Sequence, residues 1–352
     1  MDILINDLSK SYQNKLALKN INLKFPAGSF TAILGPSGCG KTTLMRCLAG
    51  FLPVNSGSIS FGELDVTNFP PQKRGTAMVF QDYALWPHMT VYENIAYGLK
   101  LRKCEKNEME RKIFKILDMV EIETNDVKKR HPGQYSGGQQ QRIALARALV
   151  LEPKLLLMDE PLSNLDAKVR QRLRVEICRI QKELGITAVY VTHDQDEALS
   201  MADQVVLMNE GVVEQVGPPE RIYQQPGSYF AAQFIGMSNS LNVAYRDGTY
   251  YLGEQSLRLQ MSELPKGNSN FVMVIRSRDV QIAKQHTLSD EYISFRGNLR
   301  ESRFTGSGFR HWVEAEKQDI FIDSEENIPD KGLCYVQIPR EKCFLYLKEA
   351  AS

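Results

Sequence analysis

Several things that would mark a secreted, metal-stapled or membrane-spanning protein are missing from this sequence. Its six cysteines (Cys39, Cys47, Cys104, Cys178, Cys334 and Cys343) include no C-x-x-C pair and no histidine-flanked cluster. That argues against a zinc site or a disulfide framework, and for reduced thiols. No apolar run approaches the ~20 residues needed to cross a bilayer. The first residues, Met1-Asp-Ile-Leu-Ile-Asn-Asp7, have neither the charged start nor the apolar core of a signal peptide. The reading is a soluble chain whose membrane role, if any, comes through a partner. A dominant charge is absent too. Lys and Arg number 43 against 42 Asp and Glu, leaving a net charge of +1, so there is neither a basic field for nucleic acid nor an acidic tail. With 352 residues, at ~150 per domain, about two domains are expected.

What is present begins with Gly35-Pro-Ser-Gly-Cys-Gly-Lys-Thr-Thr43. Gly35, Gly40, Lys41 and Thr42 fill the four specified positions of the phosphate-loop pattern G-x-x-x-x-G-K-S/T. Backbone N–H groups can surround a triphosphate only where side chains do not intrude, hence Gly35, Gly38 and Gly40. Lys41 supplies a point charge for the β- and γ-phosphates, and the Thr42 hydroxyl a ligand for Mg²⁺. Residues 29–34 read as a buried strand, and residues 42–49 as a helix stopped by Gly50. Strand, glycine loop and helix N-terminus together aim the positive end of a helix dipole at phosphate. The chain is expected to bind nucleotide.

Around this loop the chain alternates strands and helices. Ile3 and Ile5, then Ile21, Leu23 and Phe25, alternate with polar residues as in a one-faced antiparallel sheet. Tyr12, after a strand end, fits either a purine-stacking aromatic or an ordinary core tyrosine. Short strands are expected over 57–61 and 76–80, separated by a Pro70-Pro71 turn. Gln81 then stands at a strand end, where its amide oxygen could complete a Mg²⁺ shell or position the attacking water. The loop Asp82-Tyr-Ala-Leu-Trp-Pro-His88 is aromatic-rich, and reads as a partner surface or as simple packing of Trp86. Helices are expected over 90–100 and 105–120.

Three further stretches carry chemistry. Ser136, Gly137 and Gly138 open a helix and make a second natural anion site. With only one phosphate loop per chain, that suggests two copies sharing nucleotide. Lys154-Leu-Leu-Leu-Met-Asp159 reads as a buried parallel strand ending in an acid. Asp159 would hold Mg²⁺ through water, and Glu160 would orient or deprotonate the water that attacks the γ-phosphate. Asp166 caps a helix whose Val169, Leu173, Ile177, Ile180 and Leu184 read as a core stripe. A last buried strand, 186–191, delivers His193 to the same edge, within reach of a γ-phosphate. Cys39, inside the phosphate loop, is an oxidation-sensitive brake or a small side chain that fits.

In order and in spacing, residues 1 to about 235 resemble the nucleotide-binding domain of an ATP-binding cassette transporter. The resemblance makes Tyr12 the base-stacking aromatic and Gly35, Pro36, Ser37, Gly38, Cys39, Gly40, Lys41, Thr42 and Thr43 the Walker A loop. It makes Gln81 the Q-loop glutamine and Ser136-Gly-Gly-Gln139 the signature, with Tyr135 where many relatives have leucine. Residues 155–159 become Walker B, Glu160 the catalytic glutamate, Asp166 part of the D-loop and His193 the switch histidine. The implied fold is a P-loop NTPase: a RecA-like α/β core with an antiparallel β subdomain and a helical subdomain. The implied catalytic set is Glu160, His193, Gln81 and Lys41. The implied nucleotide contacts are Tyr12, residues 35–43, Ser136, Gly137, Gly138 and Gln139, and the Mg²⁺ ligands are Thr42, Gln81 and Asp159. Two domains would close head-to-tail around two ATP molecules, and the loop around 83–88 would receive coupling helices of membrane subunits.

Domain boundaries are expected at 1–236 and 237–352. The second region, from near Met237, has short alternating segments such as 271–275, 297–304, 311–315 and 335–338, which suggest a small β-barrel. It is similar to the OB-like regulatory domain of importer ATPases of the maltose, polyamine and ferric-iron types, with Arg276-Ser-Arg-Asp-Val280 where relatives often have Arg-Pro-Glu. It lacks the basic–aromatic clustering of an oligonucleotide binder. Residues 157–166 and 190–195 are close to sugar-importer ATPases, whereas Phe234-Ile-Gly-Met-Ser-Asn-Ser-Leu241 looks more like polyamine and iron relatives. The expected whole is the ATPase of a prokaryotic-type importer, peripheral on the cytoplasmic face of the inner membrane. It would work as a homodimer with two permease subunits and, indirectly, a solute-binding protein, without nucleic acid. The solute would be a polyamine, ferric iron or a sugar. The alternative is a soluble cassette ATPase outside transport, which would need a second cassette or a long coiled-coil insertion; neither is visible.

Overall fold

A strand buried on both faces needs apolar side chains at nearly every position. In β3 (Phe30–Leu34) and β8 (Thr187–Thr192) every residue is buried. With β6 (Thr76–Val79), β7 (Leu155–Asp159), β9 (Gln204–Asn209) and β10 (Val212–Gly217) they form a sheet ordered β10-β9-β3-β8-β7-β6. Only β10 runs antiparallel to its neighbour; the other pairs are parallel. This computed structural model describes residues 1–13, 15–236, 238–257, 269–285, 291–328 and 331–347. They divide into two units, Met1–Gln225 and Pro226–Ser352. Met237, the expected start of the second domain, lies outside the described residues.

Register matters most for the chemistry. Leu34 pairs with Thr192, and Asp159 with Val191. The carboxyl ends of β3, β7 and β8 therefore finish level, which is where ligands gather in a parallel sheet. The helix α1 (Lys41–Ala49) leaves the same edge. Its apolar face (Leu44, Met45, Leu48) shares one core with β3 and with a second sheet ordered β2-β1-β4-β5. Those strands are β1 (Ile3–Tyr12), β2 (Lys15–Phe25), β4 (Ser56–Phe61) and β5 (Leu64–Asp65). Ile3, Ile5, Ile21, Leu23 and Phe25 all point inward, as alternation predicts.

The expected Pro70-Pro71 turn is instead the start of a short helix, α2 (Pro71–Arg74), because proline suits the first helical position. Its last residue, Arg74, is buried and donates to Cys47 O and Leu48 O at the end of α1, and to Thr67 O and Phe69 O. A cation at the negative end of the helix dipole is favourable, and here it bonds the last carbonyls of the helix.

Helices α3 (Val91–Leu101), α4 (Lys106–Met119), α5 (Gly137–Leu149) and α6 (Ala167–Leu184) pack through Ile95, Leu99, Ile113, Leu117, Ile143 and Ile177. The α6 stripe is shorter than expected. Leu173, Ile177 and Ile180 are buried and Val169 is partly covered, but Leu184 is exposed in the last turn, just before Gly185 ends the helix. The unit closes with α7 (Gln195–Met201) and α8 (Pro219–Gln224).

The second unit opens with α9 (Tyr229–Phe234) and holds ten antiparallel strands among the described residues. The first five-stranded sheet has β11 (Asn239–Arg246), β12 (Thr249–Leu252), β13 (Gln255–Leu257), β14 (Ser269–Ile275) and β20 (Phe344–Leu347), ordered β13-β12-β11-β14-β20. The second has β15 (Gln281–Ala283), β16 (Tyr292–Phe304), β17 (Phe309–Ala315), β18 (Gln318–Ser324) and β19 (Gly332–Pro339), ordered β15-β19-β16-β17-β18. The expected small barrel thus takes the form of two sheets over one core, which includes Leu241, Tyr250, Phe295, Val313 and Val336. Side-chain amides bridge the sheets. Asn239 exchanges two hydrogen bonds with the backbone of Phe321, at 2.7 and 2.8 Å, and Gln318 does the same with Asn242. No helix among the described residues is long and apolar enough to cross a membrane.

Candidate functional site

The loop between β3 and α1 is built on close approach. A Cβ on Gly35 would lie 2.2 Å from Met208 O, so only glycine lets the loop pass under β9. Gly40 precedes α1 with φ 107°, and a Cβ there would sit 2.7 Å from Ala17 O. Lys41 is buried, and its ammonium is folded back to donate to Gly35 O (2.7 Å) and Pro36 O (2.9 Å). Cys39 is buried as well, its Sγ 3.9 Å from that ammonium. Burial pushes the Cys39 thiol up, with the Lys41 charge opposing, so the side chain behaves as a small packing residue rather than a ready thiolate.

Across from the loop, Thr42 Oγ1 donates to Asp159 Oδ1 at 3.2 Å. Burial holds the Asp159 carboxyl above the usual carboxylate range, with the Thr42 hydrogen bond pulling the other way and neighbouring Glu160 adding to the rise. A hydroxyl and a carboxylate at this spacing are hard oxygen donors, the chemistry that suits Mg²⁺. Among the described residues no group of three or more His, Cys, Asp or Glu could hold a metal by itself.

Glu160 takes a left-handed backbone, φ 45°, which non-glycine residues rarely adopt. Its N–H is bonded to Val191 O at 3.1 Å, and its carbonyl accepts from Ser163 Oγ at 2.9 Å. These bonds turn the side chain toward the end of β8, where Glu160 Oε2 lies 3.1 Å from His193 Nδ1. A carboxylate only accepts, so Nδ1–H is the donor and Nε2 is left for another partner. The His193 side chain is 58% exposed and Glu160 24%, so both can reach a ligand arriving from solvent.

Other expected contacts are only partly gathered. Tyr12 is 46% exposed, which excludes the core-tyrosine reading, with Lys10 Nζ 5.7 Å from its ring centre. Gln81 is exposed, and its backbone carbonyl accepts from Asn164 Nδ2 at 3.0 Å. Ser136 caps α5 in a capping box with Gln139. Their hydrogen bonds stay within their own turn, so this chain alone does not join them to the phosphate loop. The signature glycines also serve packing: a Cβ on Gly137 would lie 3.1 Å from Leu165, and one on Gly138 2.9 Å from Val169.

Sequence reading passed over several residues here. Arg170 and Arg174, four apart on α6, bond to Asp194, and Arg174 also to buried Glu197. Arginines spaced i,i+4 facing the acids that flank His193 were a charge pattern open to notice. Arg147 was invisible. It donates to Tyr83 O and Ala84 O, and its guanidinium lies 5.0 Å from the centre of the Trp86 ring. Trp86 also packs on Tyr97 at 4.7 Å, and both line a mostly apolar groove of about 420 Å³ with Phe80, Leu101 and Leu151. Trp86 is thus packed, and the packing forms one wall of an open groove.

Residues 18–163 match the family described as ABC transporter. Over 323 residues the chain is 41% identical to a spermidine/putrescine import ATP-binding protein of Thermotoga maritima, covering 90% of this chain and 87% of that protein. It is 39% identical over 357 residues to the Fe(3+) ions import ATP-binding protein of Fusobacterium nucleatum, covering 100% and 95%. Over 242 residues it is 53% identical to the sn-glycerol-3-phosphate import ATP-binding protein of Brucella abortus, covering 68% of each. Among solved structures, cbiO1 from Clostridium perfringens, part of an ABC transporter complex, matches with a TM-score of 0.59 at 32% identity, covering 63% of this chain and 90% of that one. A dimeric ATP-binding cassette in a post-hydrolysis state with ADP and Pi matches with a TM-score of 0.55 at 29% identity, covering 62% and 98%. Phosphate loop, strand-end acids and histidine lie on one edge of a cassette fold, and the similarity runs through nearly the full length of import subunits: the chain belongs to the ATP-binding subunits of ABC importers, ATPases that couple ATP hydrolysis to import.

Proposed function

We propose that hydrolysis is carried by Glu160 and His193, and that the observation bearing most weight is their 3.1 Å contact at the level ends of β7 and β8. Glu160 takes the proton of the attacking water, and His193, oriented through Nδ1, presents Nε2 to the γ-phosphate. Lys41 leaves the Gly35 and Pro36 carbonyls for the β- and γ-phosphates, the backbone of residues 35–43 surrounds them, and Tyr12 stacks on the base. Thr42 and Asp159, with Gln81, would hold Mg²⁺, which supplies charge neutralisation on the phosphates when bound.

The signature turn of Ser136, Gly137, Gly138 and Gln139 completes the site of a second copy, since its bonds in one chain stay local. Residues 1–236 then form the nucleotide-binding domain and 237–352 a regulatory domain. The apolar groove beside Trp86 suits an apolar helix of a permease subunit, and two such subunits would keep the dimer at the cytoplasmic face of the membrane, serving a solute-binding protein outside. Full-length similarity to polyamine and ferric-iron subunits, against partial similarity to the glycerol-phosphate one, favours a polyamine or ferric iron over a sugar derivative as solute.

The test is Mg²⁺-ATP turnover of the purified chain and of Glu160→Gln. The variant is expected to lose about a hundred-fold or more of kcat, yet still bind ATP and accumulate as an ATP-held dimer in sedimentation. Wild-type turnover by the variant would remove Glu160 from the role of base.

A further inference from the structure

His193 is largely exposed and makes one side-chain bond among the described residues, so its aim depends on what holds the backbone on either side. On one side, Thr192 Oγ1 accepts from Asp194 N at 3.0 Å and donates to Glu197 Oε2 at 2.7 Å. Glu197 is buried and also accepts from Tyr190 OH (2.7 Å) and Arg174 Nη2 (3.3 Å). On the other side, Asp194 Oδ1 caps α7 through Glu197 N at 3.1 Å, while Oδ2 takes Arg174 Nη2 at 3.1 Å and Arg170 Nη1 at 3.4 Å.

Arg170 differs from Arg174 in where its other arm goes. Arg170 Nη2 donates to Leu165 O at 3.1 Å. Leu165 lies in the turn that follows Glu160, where Ser163 holds the Glu160 carbonyl and Asn164 holds Gln81. One planar guanidinium thus spans the segment that carries Glu160 and the segment that carries His193. The same side chain lines a cavity of about 40 Å³ together with Glu160, Ser163, Thr192 and His193. Its Nε is buried without a hydrogen-bond partner among the described residues. A polar space of this size admits a water, which would complete the guanidinium's donors.

We infer that Arg170 is a positioning residue for the hydrolytic step: by bridging Leu165 O and Asp194 it sets the separation of Glu160 and His193. The inference rests on the proposed roles of those two residues. Geometry of this kind governs rate steeply, because small misplacements of reacting groups cost far more than the bonds that hold them contribute to folding. The bridge is partly exposed, Arg170 30% and Asp194 26%, and partly exposed pairs add little to global stability. Asp194 also keeps Arg174, so the loop stays folded when Arg170 is removed.

The experiment is steady-state Mg²⁺-ATP hydrolysis by the full chain as wild type, Arg170→Ala, Arg170→Lys, Asp194→Asn and the Ala/Asn double variant, each with its Tm. Arg170→Ala is expected to lower kcat about ten-fold, with KM for ATP within about two-fold and Tm unchanged. Lysine should recover part of the rate, because an ammonium can reach one partner but not hold both in a fixed fork. In the Asp194→Asn background the alanine change should cost clearly less than in wild type. A kcat within about two-fold of wild type, full additivity in the double variant, or a rate loss that tracks a falling Tm without rescue by lysine would overturn the inference. Glu160→Gln separates the two levels. An inactive Glu160→Gln beside a wild-type-like Arg170→Ala removes only Arg170, whereas an active Glu160→Gln removes both readings.

Discussion

The guanidinium of Arg147 lies 5.0 Å from the centre of the Trp86 ring while donating to the carbonyls of Tyr83 and Ala84. Burial lowers the Arg147 pKa, opposed by Asp82, but an arginine stays charged, so the side chain remains a full donor to that loop. Arg147 sits on α5, whose first turn is the signature Ser136-Gly-Gly. A single side chain therefore fixes the wall of the open groove to the helix whose first turn is proposed to complete a second copy's nucleotide site.

Replacing Arg147 by alanine should loosen the segment 83–86 and spoil the groove. The expected outcome is a several-fold drop in permease subunits recovered with the tagged chain from gently solubilised membranes. Undiminished recovery would exclude the groove as the permease contact.

Asp159 is predicted to lower the stability of the nucleotide-free protein. Burial raises its folded pKa above the ordinary 3.8. The folded state thus binds the proton more tightly than the unfolded one, and stability is lost as pH rises through that raised pKa and stays lost at neutral pH. Asp159→Asn should therefore raise Tm at pH 7 without Mg²⁺, yet cut Mg²⁺-ATP turnover by about a hundred-fold or more. Calorimetry showing a lower Tm for the variant would contradict this account.

His311 in the second unit has the opposite sign. It is wholly buried in β17, with Nδ1 2.8 Å from Ser302 Oγ and Nε2 2.9 Å from Ser324 Oγ and 3.2 Å from Glu326 O. Burial pushes its pKa below the ordinary 6.5, against the pull of the Glu326 carbonyl and of Asp323, itself paired with Arg310. The unfolded chain protonates first, so this stability is complete above pH 6.5 and lost as pH falls below it. Thermal unfolding followed from about pH 7.5 to about pH 5.5 should show Tm falling, and less steeply in His311→Gln. Parallel slopes for the two proteins would clear His311 of the effect.

Much of the candidate site was legible because its parts are short contiguous patterns. Residues 35–43, the Ser136-Gly-Gly turn, and the acids and histidine at strand ends each announce themselves within a few residues. The strand–helix–strand alternation likewise marks β3, β7 and β8 in the sequence. Reading failed where the cause lay across the fold. Leu184 follows the helical period of α6 yet is exposed, because periodicity cannot tell where a neighbour's surface ends. The packing of Gly137 and Gly138 against Leu165 and Val169, too, was out of its reach, because it depends on how α6 lies against α5.

By itself, then, the sequence determined the chemical vocabulary: a phosphate-loop motif, an acid pair at Asp159 and Glu160, a histidine, and a Ser-Gly-Gly turn opening a helix. These follow from local backbone and side-chain demands, which neighbouring residues can state. Only the tertiary structure decided the syntax. The β7–β8 register sets Asp159 beside Val191, and so brings Glu160 to His193, 33 positions further along the chain. Arg147 and Arg74, and one arm of Arg170, end on backbone carbonyls, which every residue possesses and no sequence pattern marks. A long flexible cation can meet many such oxygens, and packing alone selects which.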